Sequence, residues 1–108
     1  MTEEGSLKSA VEGYLTILQN QGKLIFLRLN AGGIVIEGEK RRYFQGAKPG
    51  TADLEVIMGG KTKFLELKSK KGKLSLAQKA FRDAVRAQGA EFYIVKSLDD
   101  LIVIIGRS

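Results

Sequence analysis

Residues 53–68 read DLEVIMGGKTKFLELK. Two runs of strand length, rich in large and β-branched apolar residues, flank a Gly-Gly pair, which is the chemistry of a tight hairpin turn. Inside the second run a carboxylate, Glu66, and an ammonium, Lys68, stand two apart, where a strand that only filled a core would carry Val or Ile. Alternation places Phe64, Glu66 and Lys68 on one face and Leu65 and Leu67 on the other. In the first run Asp53 opens the strand and shares a face with Glu55. Counting outward from Gly59 and Gly60 brings Asp53 beside Glu66 to Lys68, so these three charged groups converge at one edge of a sheet.

On the N-terminal side, apolar residues at helical spacing (Leu7, Ala10, Val11, Tyr14, Leu15, Leu18) predict a helix over 6–21, stopped by Gly22. KLIFLRL (23–29) and IVIEG (34–38) read as strands separated by NAGG, and 39–52 reads as a basic, breaker-rich loop. On the C-terminal side a helix is expected over 76–88, with its stripe at Ala77, Ala80, Phe81, Ala84 and Val85 and a stop at Gly89. EFYIV (91–95) is a further strand, and 97–106 a short helix with Ser97 as N-cap and two acids in its first turn. The strand–helix–strand passage over 62–95 implies a crossover and hence a parallel strand pair. The expected fold is therefore a single α/β domain over 1–108, a mixed β-sheet flanked by helices in the order α-β-β-β-β-α-β-α. No repeat, linker or low-complexity segment interrupts it.

The chain has 108 residues, no cysteine and no histidine. That excludes disulfides, zinc fingers, thiol nucleophiles and every histidine-dependent mechanism, and leaves carboxylates, lysines and a hard metal held by oxygen. No apolar run approaches the roughly 18 residues of a membrane span, and the acidic, polar MTEEGSLK is unlike a signal peptide. A cytoplasmic setting is expected, with no membrane partner. Net charge is +6, and its distribution is uneven. Ten Lys/Arg face three acids between residues 40 and 73, whereas the remainder carries eight basic and nine acidic residues. A concentrated basic zone suits a polyanion such as nucleic acid. Its candidate phosphate contacts are Lys40, Arg41, Arg42, Lys48, Lys70, Lys71 and Lys73. The competing reading is a solvated surface.

Two carboxylates brought within about 4 Å repel by roughly 4 kcal/mol at an effective dielectric near 20. A divalent cation removes that cost, and an all-oxygen donor set selects Mg²⁺, with Mn²⁺ as a substitute. A bare Glu-X-Lys is more often a surface ion pair, but an Asp, twelve residues and then Glu-X-Lys across a Gly-Gly hairpin is far more specific.

On these residues the chain resembles a VRR-NUC domain, a branch of the PD-(D/E)XK nuclease superfamily with a restriction-endonuclease-like core. The matching pieces are Glu12 in the first helix, Asp53, Glu66 with Lys68, and KGKLSLAQ (71–78), whose Ser-X-X-Gln start brings Gln78 toward the site. The resemblance spans essentially the whole chain, and 50–78 carries most of it. The family usually has Pro directly before the strand Asp; this chain has Ala52 there, and its sole proline is Pro49.

The resemblance implies a Mg²⁺-dependent DNA endonuclease that leaves a 5′-phosphate and a 3′-hydroxyl. The metal would be held by Asp53, Glu66, the Leu67 backbone carbonyl and Glu12, the last through water. Lys68 would orient the attacking water or stabilise the transition state. Glu12 lies off the apolar stripe of its helix, so its place in the site rests on the resemblance. Gln78 stands at capping-box spacing from Ser75 and could close the helix as well as reach the site. Branched or four-way-junction DNA and a homodimer are the implied substrate and state, in a bacterial or phage-infected cell. Apolar LIVIIG (101–106) offers a surface for the second copy. A non-catalytic DNA-binding module on the same fold and a plain basic α/β adaptor are the alternatives.

Overall fold

The Gly59–Gly60 pair closes the hairpin that the sequence implies, and both residues take the positive φ values (57° and 76°) that such a two-residue turn demands. The computed structural model describes residues 2–29, 33–36, 42–45 and 48–106, the two short internal segments by their backbone alone. In chain order the elements are α1 (Glu3–Asn20), β1 (Ile25–Arg28), β2 (Gly33–Ile36), β3 (Arg42–Gln45), β4 (Leu54–Met58), β5 (Lys61–Leu67), α2 (Leu76–Ala87), β6 (Glu91–Val95) and α3 (Leu98–Gly106).

The main sheet has the order β1-β4-β5-β6. β4 pairs antiparallel with both β1 and β5, and β5 runs parallel to β6 across α2. The mixed sheet and the parallel crossover pair are as the sequence predicts. Two details differ. The stretch 39–52, expected to be loop, contains β3, which pairs antiparallel with β2 in a separate two-stranded sheet. Its RYFQ core carries two aromatics with strand preference, hidden in sequence by the flanking charges and glycines. The order therefore gains one strand before the hairpin. α1 also starts earlier than expected: the Thr2 hydroxyl accepts from Gly5 N at 3.0 Å, and Glu3 and Glu4 sit in the first turn, where the helix dipole favours them.

One sheet face builds the core. Leu54, Val56, Leu65, Leu67 and Val95 project from the strands against Leu7, Val11 and Leu15 of α1 and Leu101, Ile104 and Ile105 of α3. Each such side chain contributes about 1.5–3 kcal/mol by leaving water. On the opposite face Phe81 of α2 meets Phe64 edge-on, with centroids 5.2 Å apart, and approaches Phe92 at 6.2 Å.

Lys63 departs from the sequence reading, which counted it among the basic zone. It is 2% exposed. Its Nζ lies 3.0 Å from Glu91 Oε1, its Cα partner across the parallel β5/β6 pair. The Tyr93 hydroxyl donates to the same carboxylate, and this hydrogen bond, then Lys63, holds Glu91 below the usual carboxylate range. Lys63 is therefore withdrawn from any polyanion surface.

Candidate active site

The β4/β5 register pairs Leu54 with Leu65 and Glu55 with Phe64. Continued by one position, it sets Asp53 opposite Glu66, as the count from the glycines requires. Asp53 Oδ2 accepts from the Leu67 backbone N–H at 2.8 Å, which fixes the carboxylate at the end of the strand pair. Glu66 is 3% exposed, unusual for a carboxylate. Burial pushes its carboxyl up to about 7, the facing Asp53 charge and a hydrogen bond with Asp53 push the same way, and the Lys68 ammonium pulls back. Lys68 Nζ stands 3.5 Å from Glu66 Oε2.

From the other side, α2 supplies Gln78. Its Nε2 donates to Glu66 Oε2 at 3.2 Å while its Oε1 accepts from Ser75 N at 2.9 Å. Ser75 Oγ in turn accepts from Gln78 N at 3.1 Å. The capping box and the reach to the site thus coexist in one side chain, because the two ends of its amide serve different partners. One oxygen, Glu66 Oε1, is left buried with no hydrogen-bond partner. An orphaned carboxylate oxygen beside a second carboxylate is costly unless a proton or a cation attends it.

Glu12 reaches the same end of the sheet from α1. A cavity of about 360 Å³ is lined by Glu12, Asp53, Leu54, Leu67, Arg28 and Lys8, together with the first turn of α1. Asp53 therefore belongs to both groups, one hand toward Glu66 and the other toward the cavity, which Glu66 does not line. Arg28 Nε lies 2.6 Å from Glu12 Oε1, and this pairing holds Glu12 apart. Among the described residues no group of three or more carboxylates stands close enough to hold a metal together. The structure therefore brings Asp53 and Glu66 together but does not gather Asp53, Glu66 and Glu12 into the joint cluster the sequence led one to expect, Glu12 standing across the cavity paired with Arg28.

Of the expected phosphate contacts, Lys48, Lys70, Lys71 and Lys73 are exposed. The loop that carries the last three is tied down: Lys70 N donates to Glu3 Oε1 at 3.0 Å and its carbonyl accepts from Lys96 Nζ at 3.0 Å. Arg42 lies on β3 by its backbone, and Lys40 and Arg41 fall outside the described residues. Sequence reasoning missed Arg28. The available signal was its position at the end of β1, Cα partner of Leu54 and so next to the strand end that bears Asp53.

No family model matches the sequence, and no curated protein matches it. Among solved structures the chain is similar to one described as a VRR_NUC domain, at 22% identity and a TM-score of 0.66, over 98% of this chain and 97% of that one. The three helices around a mixed sheet, with the hairpin that pairs Asp53 and Glu66 at its end, are thus the restriction-endonuclease-like core anticipated from the sequence, and the chain has the fold of a VRR_NUC domain.

Proposed function

We propose that this protein is a Mg²⁺-dependent DNA endonuclease acting on branched or four-way-junction DNA. The observation that carries the reading is the Asp53–Glu66 pair. A buried Glu66 faces Asp53 at the strand end, with one Glu66 oxygen unpartnered and its carboxyl pushed up to about 7. An ion pair serving stability alone would have its charges matched. Here Lys68 stands 3.5 Å from Glu66 Oε2, yet burial and the Asp53 charge still push the Glu66 carboxyl up, a strain that a hard cation relieves.

The donor set fits Mg²⁺ or Mn²⁺, because every candidate ligand is oxygen: Asp53, Glu66, the Leu67 carbonyl and Glu12 through water. When bound, such an ion supplies a Lewis acid that lowers the pKa of a water and offsets phosphate charge. The chain's own groups do the rest. Gln78 fixes which oxygen of Glu66 points away from α2, the Leu67 N–H fixes Asp53, and Lys68 keeps a cation where charge grows on the phosphate. Exposed Lys70, Lys71 and Lys73 grip the strand beyond it. α3 leaves Ile102 42% and Val103 53% exposed, which supports a second copy docking there and hence paired cuts on a symmetric junction. No helix of the described residues is long and apolar enough to cross a membrane, and the site of action under this reading is the cytoplasm of a bacterial or phage-infected cell.

The test is cleavage of a panel of single-stranded, duplex, flap and four-way-junction DNAs with Mg²⁺ and with EDTA. Metal-dependent cutting that disappears in Glu66→Gln, with DNA binding in EDTA retained, is the expected result. Binding without cutting on every substrate would leave a non-catalytic DNA-binding module, and wild-type cleavage by Glu66→Gln would remove the site.

A further inference from the structure

The cavity beside Asp53 has a second property that the metal reading does not use. Its wall carries two cations, Lys8 and Arg28, among the acids Glu4, Glu12 and Asp53. A phosphodiester approaching those acids is repelled unless positive charge meets it at the same wall. Lys8 is ill-placed for a fixed contact, since its Nζ is 4.0 Å from Glu12 Oε2. Arg28 is held differently. Its Nε is anchored at 2.6 Å on Glu12 Oε1, a side chain only 12% exposed, while Arg28 itself remains 62% exposed.

That asymmetry matters because a guanidinium is a planar fork with five N–H donors. One edge is committed to Glu12. Among the described residues the guanidinium has no other ion-pair partner, and the side chain, largely exposed, lines the cavity. The backbone explains the placement. On β1, Phe26 pairs with Val56 and Arg28 with Leu54, so Arg28 continues the row of side chains that faces α1. At the point where that row leaves the core it meets Glu12, one residue after buried Val11.

We infer that Arg28 is a phosphate-contacting residue of this site, tethered by Glu12 so that its free edge meets a non-bridging oxygen of the DNA strand at the cavity. This deepens the nuclease reading and rests on it for the identity of the polyanion. Glu12 then has two duties, as tether for Arg28 and as an outer member of the metal shell. A lysine could not replace Arg28 fully, since one ammonium cannot hold a carboxylate edge and a phosphate edge in fixed planes at once.

The experiment measures DNA binding without catalysis. A short duplex is titrated against the full chain in EDTA at several salt concentrations, for wild type, Arg28→Ala and Arg28→Lys, with thermal melts as the folding control. Arg28→Ala is expected to lower affinity and to flatten log K against log salt by about one unit. Arg28→Lys should restore the slope while, with Mg²⁺, cleavage stays well below wild type through a lower kcat. Unchanged slope in Arg28→Ala would overturn the inference and leave Arg28 as an ion partner of Glu12; so would absence of DNA binding by the wild type. If Arg28→Ala fails to fold, Arg28→Gln takes its place under the same criterion. A wild type that binds with an Arg28-dependent slope but cuts nothing would defeat the nuclease reading while sparing the phosphate contact.

Discussion

Glu66 is the residue on which the proposed chemistry and the stability of this protein meet. Its ordinary value is 4.5, and the folded chain pushes it up to about 7. Between those values the unfolded chain releases the proton while the folded chain keeps it. Stability is therefore fully present below about pH 4.5 and falls as pH rises through 7, by up to about 3 kcal/mol. Glu66→Gln removes the dependence, so urea denaturation in EDTA should find the variant equal to wild type near pH 4 and more stable at pH 8. A wild-type stability that stays level from pH 4.5 to 8 would show that the carboxyl is not held protonated by Asp53 and burial. Added Mg²⁺ should raise the melting temperature of wild type more at pH 8 than at pH 5.5, and should not do so in Glu66→Gln, because the ion competes with the proton for one place. The partnership of Asp53 and Glu66 was legible in the sequence because a two-glycine hairpin turns register into arithmetic. The tie between Glu12 and Arg28 was not, since it depends on how α1 lies across β1, which no local pattern encodes.

At the scale of elements, the site is assembled from a hairpin and a helix that must be held against each other. The joint is the turn at Pro49–Gly50, where a Cβ on Gly50 would stand 2.5 Å from the Ala77 carbonyl oxygen, with φ at +90°. Neither strain can relax cheaply, because the obstacle is helix backbone. Gly50→Ala should therefore cost about 2 kcal/mol or more in denaturant titration. By displacing Asp53 relative to Gln78 it should also lower cleavage by about 10²-fold. Loss of stability with full activity would show that the turn does not position the site. The capping box offers a separate measure. Ser75→Ala should cost about 1 kcal/mol of stability and, because Ser75 N still donates to Gln78 Oε1, only a small part of the rate. Gln78→Ala should cost the rate heavily. If both lose rate equally, the helix start acts as one unit and Gln78 has no distinct part. The helix start was readable from Ser-X-X-Gln. β3 was not, because RYFQ is flanked by Lys40 and Arg41 on one side and a breaker on the other, and its partner β2 lies across a connection that carries no turn signature.

For the whole molecule, the proposed encounter with DNA turns on charge. With Lys63 buried against Glu91, the basic zone that the sequence assigned to a polyanion loses one member, and the proposed contact falls more on the exposed lysines after β5. Replacing Lys70, Lys71 and Lys73 together by alanine should flatten the slope of log K against log salt on duplex DNA by about 2 to 3 units. Since Glu3 and Lys96 bind the backbone of that loop rather than its side chains, the melting temperature should hardly move. An unaltered slope would mark the run as a solvated surface. The location of the basic zone could be read from composition, but the burial of Lys63 could not, because its acid lies 28 positions further along the chain.

The same buried lysine bears on how the sheet finds its alignment. The hairpin turn settles β5 against β4, but no turn settles β6 against β5, since the two are joined through a helix and could in principle slide. A slide by one position would expose the core face, and a slide by two would preserve that face and so escape hydrophobic selection. Only the second error is dangerous, and Lys63 opposes it. Shifted by two, its ammonium would lie buried opposite an aromatic ring or open space instead of Glu91, an unpaired charge in a dry interior. A salt bridge at one end of β5 thereby acts as the index mark from which Glu66, three residues away, takes its place under Gln78.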